Sequence, residues 1–315
     1  MLTNVHLDNF RGFRDTGVGP LKRVNLIVGQ NNTGKTGLLE ALAFLAADSP
    51  QAFAALPSLF RSVGGDLNEN FWKWIPHNKN AKNLVRVKAV FDGSQEYWVG
   101  LAQQVPAGPW HPVGMAFGGM QLFRGQRASA GLKGHVFSTY PTNPRQDAID
   151  YNRVVLRRKK SQVEGLLKKV EPRLEAIESL QTGNEPLLYA DVGLSEMIPI
   201  TQMGQGFNRL LDIYSEIVSA ESKVLLIDEI ENGLHHSVLS IIWRGLFNGA
   251  EEMDVQIFAT THSWECVLAA DEAAREDPQY ELNLIRLDRL DDNVKATIID
   301  KESLNTAKDL HWEMR

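Results

Sequence analysis

Gly29-Gln30-Asn31-Asn32-Thr33-Gly34-Lys35-Thr36 fits the pattern G-x-x-x-x-G-K-[ST], and its setting constrains the fold more than the pattern does. The apolar run Val24-Asn25-Leu26-Ile27-Val28 leads into it and reads as a strand buried on both faces. Leu38, Leu39, Leu42, Ala43 and Leu45 follow at helical spacing. In a strand, glycine loop and helix of this order, the backbone curls so that successive N–H groups face phosphate oxygens, and the helix N-terminus adds its positive end. Gly29, Gln30, Asn31, Asn32, Thr33, Gly34 and Gly37 are the expected cradle. Lys35 is placed to neutralise the β and γ phosphates of a nucleoside triphosphate, and Thr36 to put its hydroxyl on Mg2+.

A loop of this kind needs a parallel sheet behind it, and the last third of the chain supplies one. Val224-Leu225-Leu226-Ile227 and Val255 to Ala259 read as two more buried strands. Helical patterns at Phe207 to Val218 and Val238 to Phe247 alternate with them. Hairpin signals at Val85 to Leu101 and at Leu282 to Ile299, with a strand at Met120 to Phe123, add an antiparallel portion. A helix is expected near 152–171, with Leu174 and Ile177 continuing its stripe past Pro172. Residues 49–80 read as irregular or short-helical, and Trp72 and Trp74, which could stack on bases, are expected in the core.

Two further strand ends carry chemistry. Asp228 and Glu229 close the Val224 strand, where the turn lets both carboxylates face one cavity, Asp228 for the Mg2+ shell and Glu229 to polarise an attacking water. Thr260-Thr261-His262-Ser263 follows the next strand, and His262 is placed to reach the γ-phosphate and that water.

Taken together, the P-loop at 29–36, the acidic strand end at 224–229, the turn Glu231-Asn232-Gly233-Leu234-His235 and the switch-like His262 resemble an ABC-type ATPase head. Phe10-Arg11-Gly12-Phe13 just before the P-loop strand is similar to the RecF, SMC and OLD branch. Within it, 228–236 and Ala259 to Ser263 resemble the stand-alone OLD-like ATPases of bacterial anti-phage defence operons. The resemblance covers about 1–48 and 196–315. It implies a single nucleotide-binding domain: a first lobe from 1–50 and about 82–140, a helical insertion at about 150–182, and the remaining motifs in about 196–315. It also implies a signature sequence before the helix that precedes Asp228. Gln202-Met203-Gly204-Gln205-Gly206 is the best match, with Met203 where a serine is usual. In the family Gly204, Gln205 and Gly206 would complete the nucleotide site of a second subunit, so a dimer or higher oligomer closing on ATP is expected. The Q-loop glutamine has no clear place, with Gln121 and Gln146 as weak candidates.

Spacing and charge narrow the role. No run of heptads is long enough for an SMC-like arm, and only 53 residues follow His262, which leaves little room for a TOPRIM nuclease. The effector, a nuclease or toxin, is therefore expected to be a separate polypeptide. No [NT]-K-x-D guanine-reading motif follows Asp228, which argues against a GTPase. With 33 Lys+Arg against 39 Asp+Glu the net charge is -6, so nucleic acid needs a local patch. Arg153, Arg157, Arg158, Lys159, Lys160, Lys168 and Lys169 against Glu164 could supply one on 153–169. His235-His236 reads as structural rather than metal-binding. A single cysteine, Cys266, and no membrane-length apolar run point to the cytoplasm without membrane contact. The leading expectation is an ATPase that controls an effector. A RecF-like DNA-repair clamp and a non-hydrolysing, ATP-stabilised scaffold are the alternatives.

Overall fold

The computed structural model describes residues 1–61, 67–92, 95–104, 111–125, 132–139, 143–182, 185–219 and 221–309. Its elements run β1 (Leu2–Phe10), β2 (Phe13–Val18), β3 (Val24–Val28), α1 (Lys35–Ala46), α2 (Pro50–Arg61), α3 (Leu67–Lys73) and β4 (Val85–Phe91). Next come β5 (Gln95–Ala102), β6 (His111–Phe117), β7 (Met120–Arg124), β8 (Gly134–Phe137), α4 (Pro144–Leu156) and α5 (Lys160–Leu167). They are followed by β9 (Ala176–Thr182), β10 (Glu185–Asp191), β11 (Ile198–Pro199), α6 (Gln205–Ser219), β12 (Val224–Ile227) and α7 (Leu239–Glu252). The chain closes with β13 (Gln256–Thr260), α8 (Trp264–Ala274), β14 (Leu282–Leu290), β15 (Asn293–Ile299) and α9 (Lys301–Asp309).

The central sheet has the order β15-β14-β3-β13-β12-β8, parallel except for the β14–β15 hairpin. Successive side chains of a strand face opposite ways, and here both faces are covered. Val24, Leu26, Leu225, Ile227, Ile257 and Ala259 enter one core with α6, α7 and α8. Ile27, Val224, Leu226 and Phe258 enter a second core with α1 and the antiparallel sheet β2-β1-β4-β5-β7-β6. Burial on both sides explains why these strands are almost wholly apolar, and the mixed α/β expectation holds. Helix α1 lies between the two large sheets, touching β1, β4 and β5 on one side and β8, β12 and β13 on the other.

The middle of the chain departs from the periodicity. One helix was expected over 152–171, but Arg158 takes a left-handed φ of 58° and splits it into α4 and α5. Leu174 and Ile177 do not extend the stripe: 176–182 is strand β9, paired with β10. An i, i+3 apolar pair suits either element, and here Ile177 is fixed in the sheet, its N–H donating to the Glu164 carboxylate at 2.7 Å. Trp72 is core, stacked on Phe117 at 4.1 Å, whereas Trp74 is 55% exposed and is not. Among the described residues, no helix is long and apolar enough to cross a membrane.

Candidate active site

Parallel neighbours β3, β13 and β12 end side by side, and the crevice outside the carboxyl ends of such strands is where open α/β sheets bind ligands. β3 delivers the glycine loop, β12 delivers Asp228 and Glu229, and β13 delivers Thr260, Thr261 and His262. Gly34 caps α1 with φ 99°, a conformation a side chain would strain, and a Cβ there would press on the Phe13 ring at 3.1 Å. The Lys35 ammonium is buried and folded onto the loop itself, donating to the Gly29 and Gln30 carbonyls at 2.7 and 2.8 Å. Burial pushes it down to about 8, against the opposing pull of Asp228, Glu229 and Glu231. An ammonium already desolvated and fed by two carbonyls is placed to exchange them for phosphate oxygens.

Thr36 donates from Oγ1 toward both Asp228 oxygens, at 3.3 and 3.2 Å. Thr260 Oγ1 donates to Asp228 Oδ1 at 2.7 Å and accepts the Glu229 N–H at 2.8 Å. Glu229 itself has φ 48°, a left-handed turn at the strand end. Glu231 accepts the His262 N–H at 2.8 Å, tying the turn after Glu229 to the end of β13. The His262 ring is exposed and lines the P-loop cavity.

That cavity measures about 960 Å3, within the range that holds a small-molecule ligand. Asn31, Asn32, Gly34, Lys35, Thr36 and Gly37 line its glycine-loop end, and Arg11, Trp74, His77 and Lys79 part of the rest. The Lys79 ammonium sits 3.4 Å from the centre of the Trp74 ring. Asn78 and Lys79 both have positive φ, and His77 Nδ1 meets the Arg11 carbonyl at 2.8 Å, which braces this strained wall.

Gly204, Gln205 and Gly206 do not join the group. Gly204 and Gln205 stand exposed at the start of α6, and Gln205 lines a different cavity with Asn208 and Arg209. Gly206 packs on the turn after Glu229: a Cβ would lie 2.1 Å from the Gly233 carbonyl. Met203, half-buried, packs against the core. Gln146 lines the Gln205 cavity and Gln121 sits on β7, so neither lines the P-loop cavity. His235 accepts the Ser237 N–H at 3.3 Å, a local cap.

Four residues contribute in ways the motifs do not show. Thr260 is nearly fully buried and its hydroxyl serves both carboxylate residues, yet threonine in a strand is ordinary. Arg209 donates from Nη1 to the Ser138 carbonyl at 2.9 Å and from Nη2 to the Asp228 carbonyl. Burial lowers its guanidinium below the usual arginine range, and the Asp228, Glu229, Glu231 and Asp212 charges oppose that shift. Its sequence signal is weak, a charged residue at a half-buried position between the buried Phe207 and Leu210 of α6. Trp74 and Lys79 carry no pattern at all.

This fold and this constellation are those of a P-loop ATPase. Comparison with known proteins agrees. Residues 1–97 match the family described as "AAA ATPase domain", and 137–267 match "AAA domain, putative AbiEii toxin, Type IV TA system". A curated Helicobacter pylori protein named "ATP/GTP phosphatase" is 21% identical over 331 residues, covering 88% of this chain and 89% of that one. Two solved structures share the fold. The SMC head bound to the C-terminal winged-helix domain of ScpA has TM-score 0.62 and 12% identity, covering 97% of this chain and 99% of that one. The SMC head with an extended coiled coil bound to the C-terminal domain of ScpA, from Pyrococcus furiosus, has TM-score 0.59 and 10% identity, with 98% and 99% coverage.

Proposed function

We propose that this chain binds ATP with Mg2+, closes as a dimer around it and, through hydrolysis, controls a separate effector in bacterial anti-phage defence. The observation that carries the reading is the meeting of Thr36, Asp228 and Thr260 beneath a buried Lys35. Thr36 and Asp228 offer the hard oxygens Mg2+ accepts, so the donor set fits that ion. Bound there, the ion would neutralise charge on the phosphates. Lys35 then holds the β and γ phosphates while the N–H groups of residues 29–34 orient them. Glu229 takes a proton from the attacking water, and His262 faces the γ-phosphate side of the cavity. Trp74 offers a flat wall for the base. A wall that stacks without reading edges suits either purine, in keeping with the name of the Helicobacter pylori relative.

Dimerisation is supported by what the P-loop cavity lacks. Gly204 and Gln205 stand exposed outside it and Gly206 packs on Gly233, so none of the three lines that cavity within one subunit. A second copy would bring its own loop across. The effector reading is supported by the OLD-like motifs and by the toxin–antitoxin description of the family matched at 137–267. Arg153 and Arg157 pair with Glu221, and Lys160 with Glu178, which shrinks the cationic surface of 153–169 and favours effector control over a DNA clamp. Glu229→Gln tests the proposal: hydrolysis should fall about 100-fold or more while ATP binding persists and an ATP-bound dimer accumulates in light scattering. Unchanged turnover, or a monomer at saturating ATP, would overturn it.

A further inference from the structure

We propose that Arg209 is a positioning residue for hydrolysis: with Thr260 it clamps the single peptide unit between Asp228 and Glu229 and so sets where the Glu229 carboxylate points. The proposal rests on the assignment of Glu229 as the base. Both polar ends of this peptide are held. Its N–H donates to Thr260 Oγ1 at 2.8 Å, and its carbonyl accepts from Arg209 Nη2. The residue that follows is in the left-handed region, at φ 48°, where a side chain crowds the backbone and a glutamate does not stay unless its neighbours hold it. Rotation of that one peptide would re-aim the Glu229 carboxylate.

Each clamp is itself anchored. The second arm of Arg209 donates to the Ser138 carbonyl, just past β8, so one planar fork bridges the ends of adjacent strands β8 and β12. Asp228 N–H donates to the Phe137 carbonyl at 2.9 Å, which closes the same corner. Thr260 is pinned by its donation to Asp228 Oδ1, so its remaining lone pair faces the Glu229 N–H. Arg209 lies three residues beyond Gly206 on α6, so the helix that starts at Gln205 carries the guanidinium that holds this turn.

The test compares Arg209→Ala, Arg209→Lys, Thr260→Val and the Arg209→Ala/Thr260→Val double variant in the full chain, reading kcat, ATP affinity and thermal stability. In Arg209→Ala, kcat should fall about 10- to 100-fold while ATP affinity stays within about threefold, because the phosphate cradle is untouched. Millimolar guanidinium should recover part of the loss in Arg209→Ala and leave wild type unchanged. Arg209→Lys keeps the charge without the fork and should fold normally yet remain slow, which keeps the test valid if the alanine variant is unstable. The double variant should be no slower than the worse single, since both changes free the same peptide. Turnover of Arg209→Ala and Arg209→Lys within about twofold of wild type would overturn the clamp, as would a loss matched by equal losses of affinity and stability with no guanidinium response. Glu229→Gln assayed alongside separates the two ideas. If it abolishes turnover while Arg209 variants stay fast, only the clamp fails; if it does not, the base assignment fails with it.

Discussion

Replacing Arg11 by Met removes a cation from a nearly closed pocket and leaves its partner behind. Arg11 Nε lies 2.7 Å from Glu40 Oε2, and the two side chains are 14% and 1% exposed. Glu40 is on α1, the helix that follows the phosphate loop, whereas Arg11 is on the β1–β2 turn, held left-handed at φ 55° with its N–H on the Ile75 carbonyl. The pair therefore fastens the helix to a wall of the P-loop cavity. Removing one partner of a pair buried this deeply costs about 3–5 kcal/mol, far more than breaking a surface pair would, because the remaining carboxylate is shut away from water. Adding Glu40→Met should recover most of that, since a buried pair replaced whole by apolar groups is close to neutral. Urea unfolding of wild type, both single variants and the double variant gives the coupling directly. The reasoning would be refuted by an Arg11→Met cost below about 1 kcal/mol, or by a double variant as unstable as the sum of the singles.

Three further outcomes follow from the geometry. Asp271 is fully buried and held below the ordinary carboxylate range, because donation by Arg275, Lys308 and Tyr280 outweighs its desolvation. Its contribution should be complete above its unfolded value and lost as pH falls through the lowered folded one, so Asp271→Asn should flatten the acid limb of stability measured by circular dichroism. Gly206→Ala drives a Cβ into the Gly233 carbonyl and should cost about 1–3 kcal/mol and slow turnover, read by urea melts and phosphate release; unaltered values would show that the two turns separate freely. Trp74→Ala should weaken nucleotide binding by about 1 kcal/mol in calorimetry, equally for ATP and GTP, and an unchanged affinity would remove the stacking wall.

Much of the architecture is carried by local pattern. The Val24 to Val28 run, the glycine loop and the Leu38 to Leu45 stripe declare strand, turn and helix within 22 residues, since each obeys its own period. The acidic end of β12 and the Thr-His end of β13 are legible for the same reason. The segment 157–182 was not, because an apolar pair such as Leu174 and Ile177 fits a helix or a strand, and only the partner strand β10 settles the choice.

The amino-acid order alone therefore determined which chemical groups the chain owns and which short elements carry them: phosphate-gripping amides, a lysine, a threonine and two adjacent carboxylates. Tertiary structure alone decided which of them meet. Asp228 finds Thr36 across 192 residues, and Thr260 across 32. The Glu229 turn is held by an arginine that no motif contains. Such contacts depend on strand order and on the register of parallel neighbours, which are set when two faces of one sheet are buried at once, and no spacing along the chain records that.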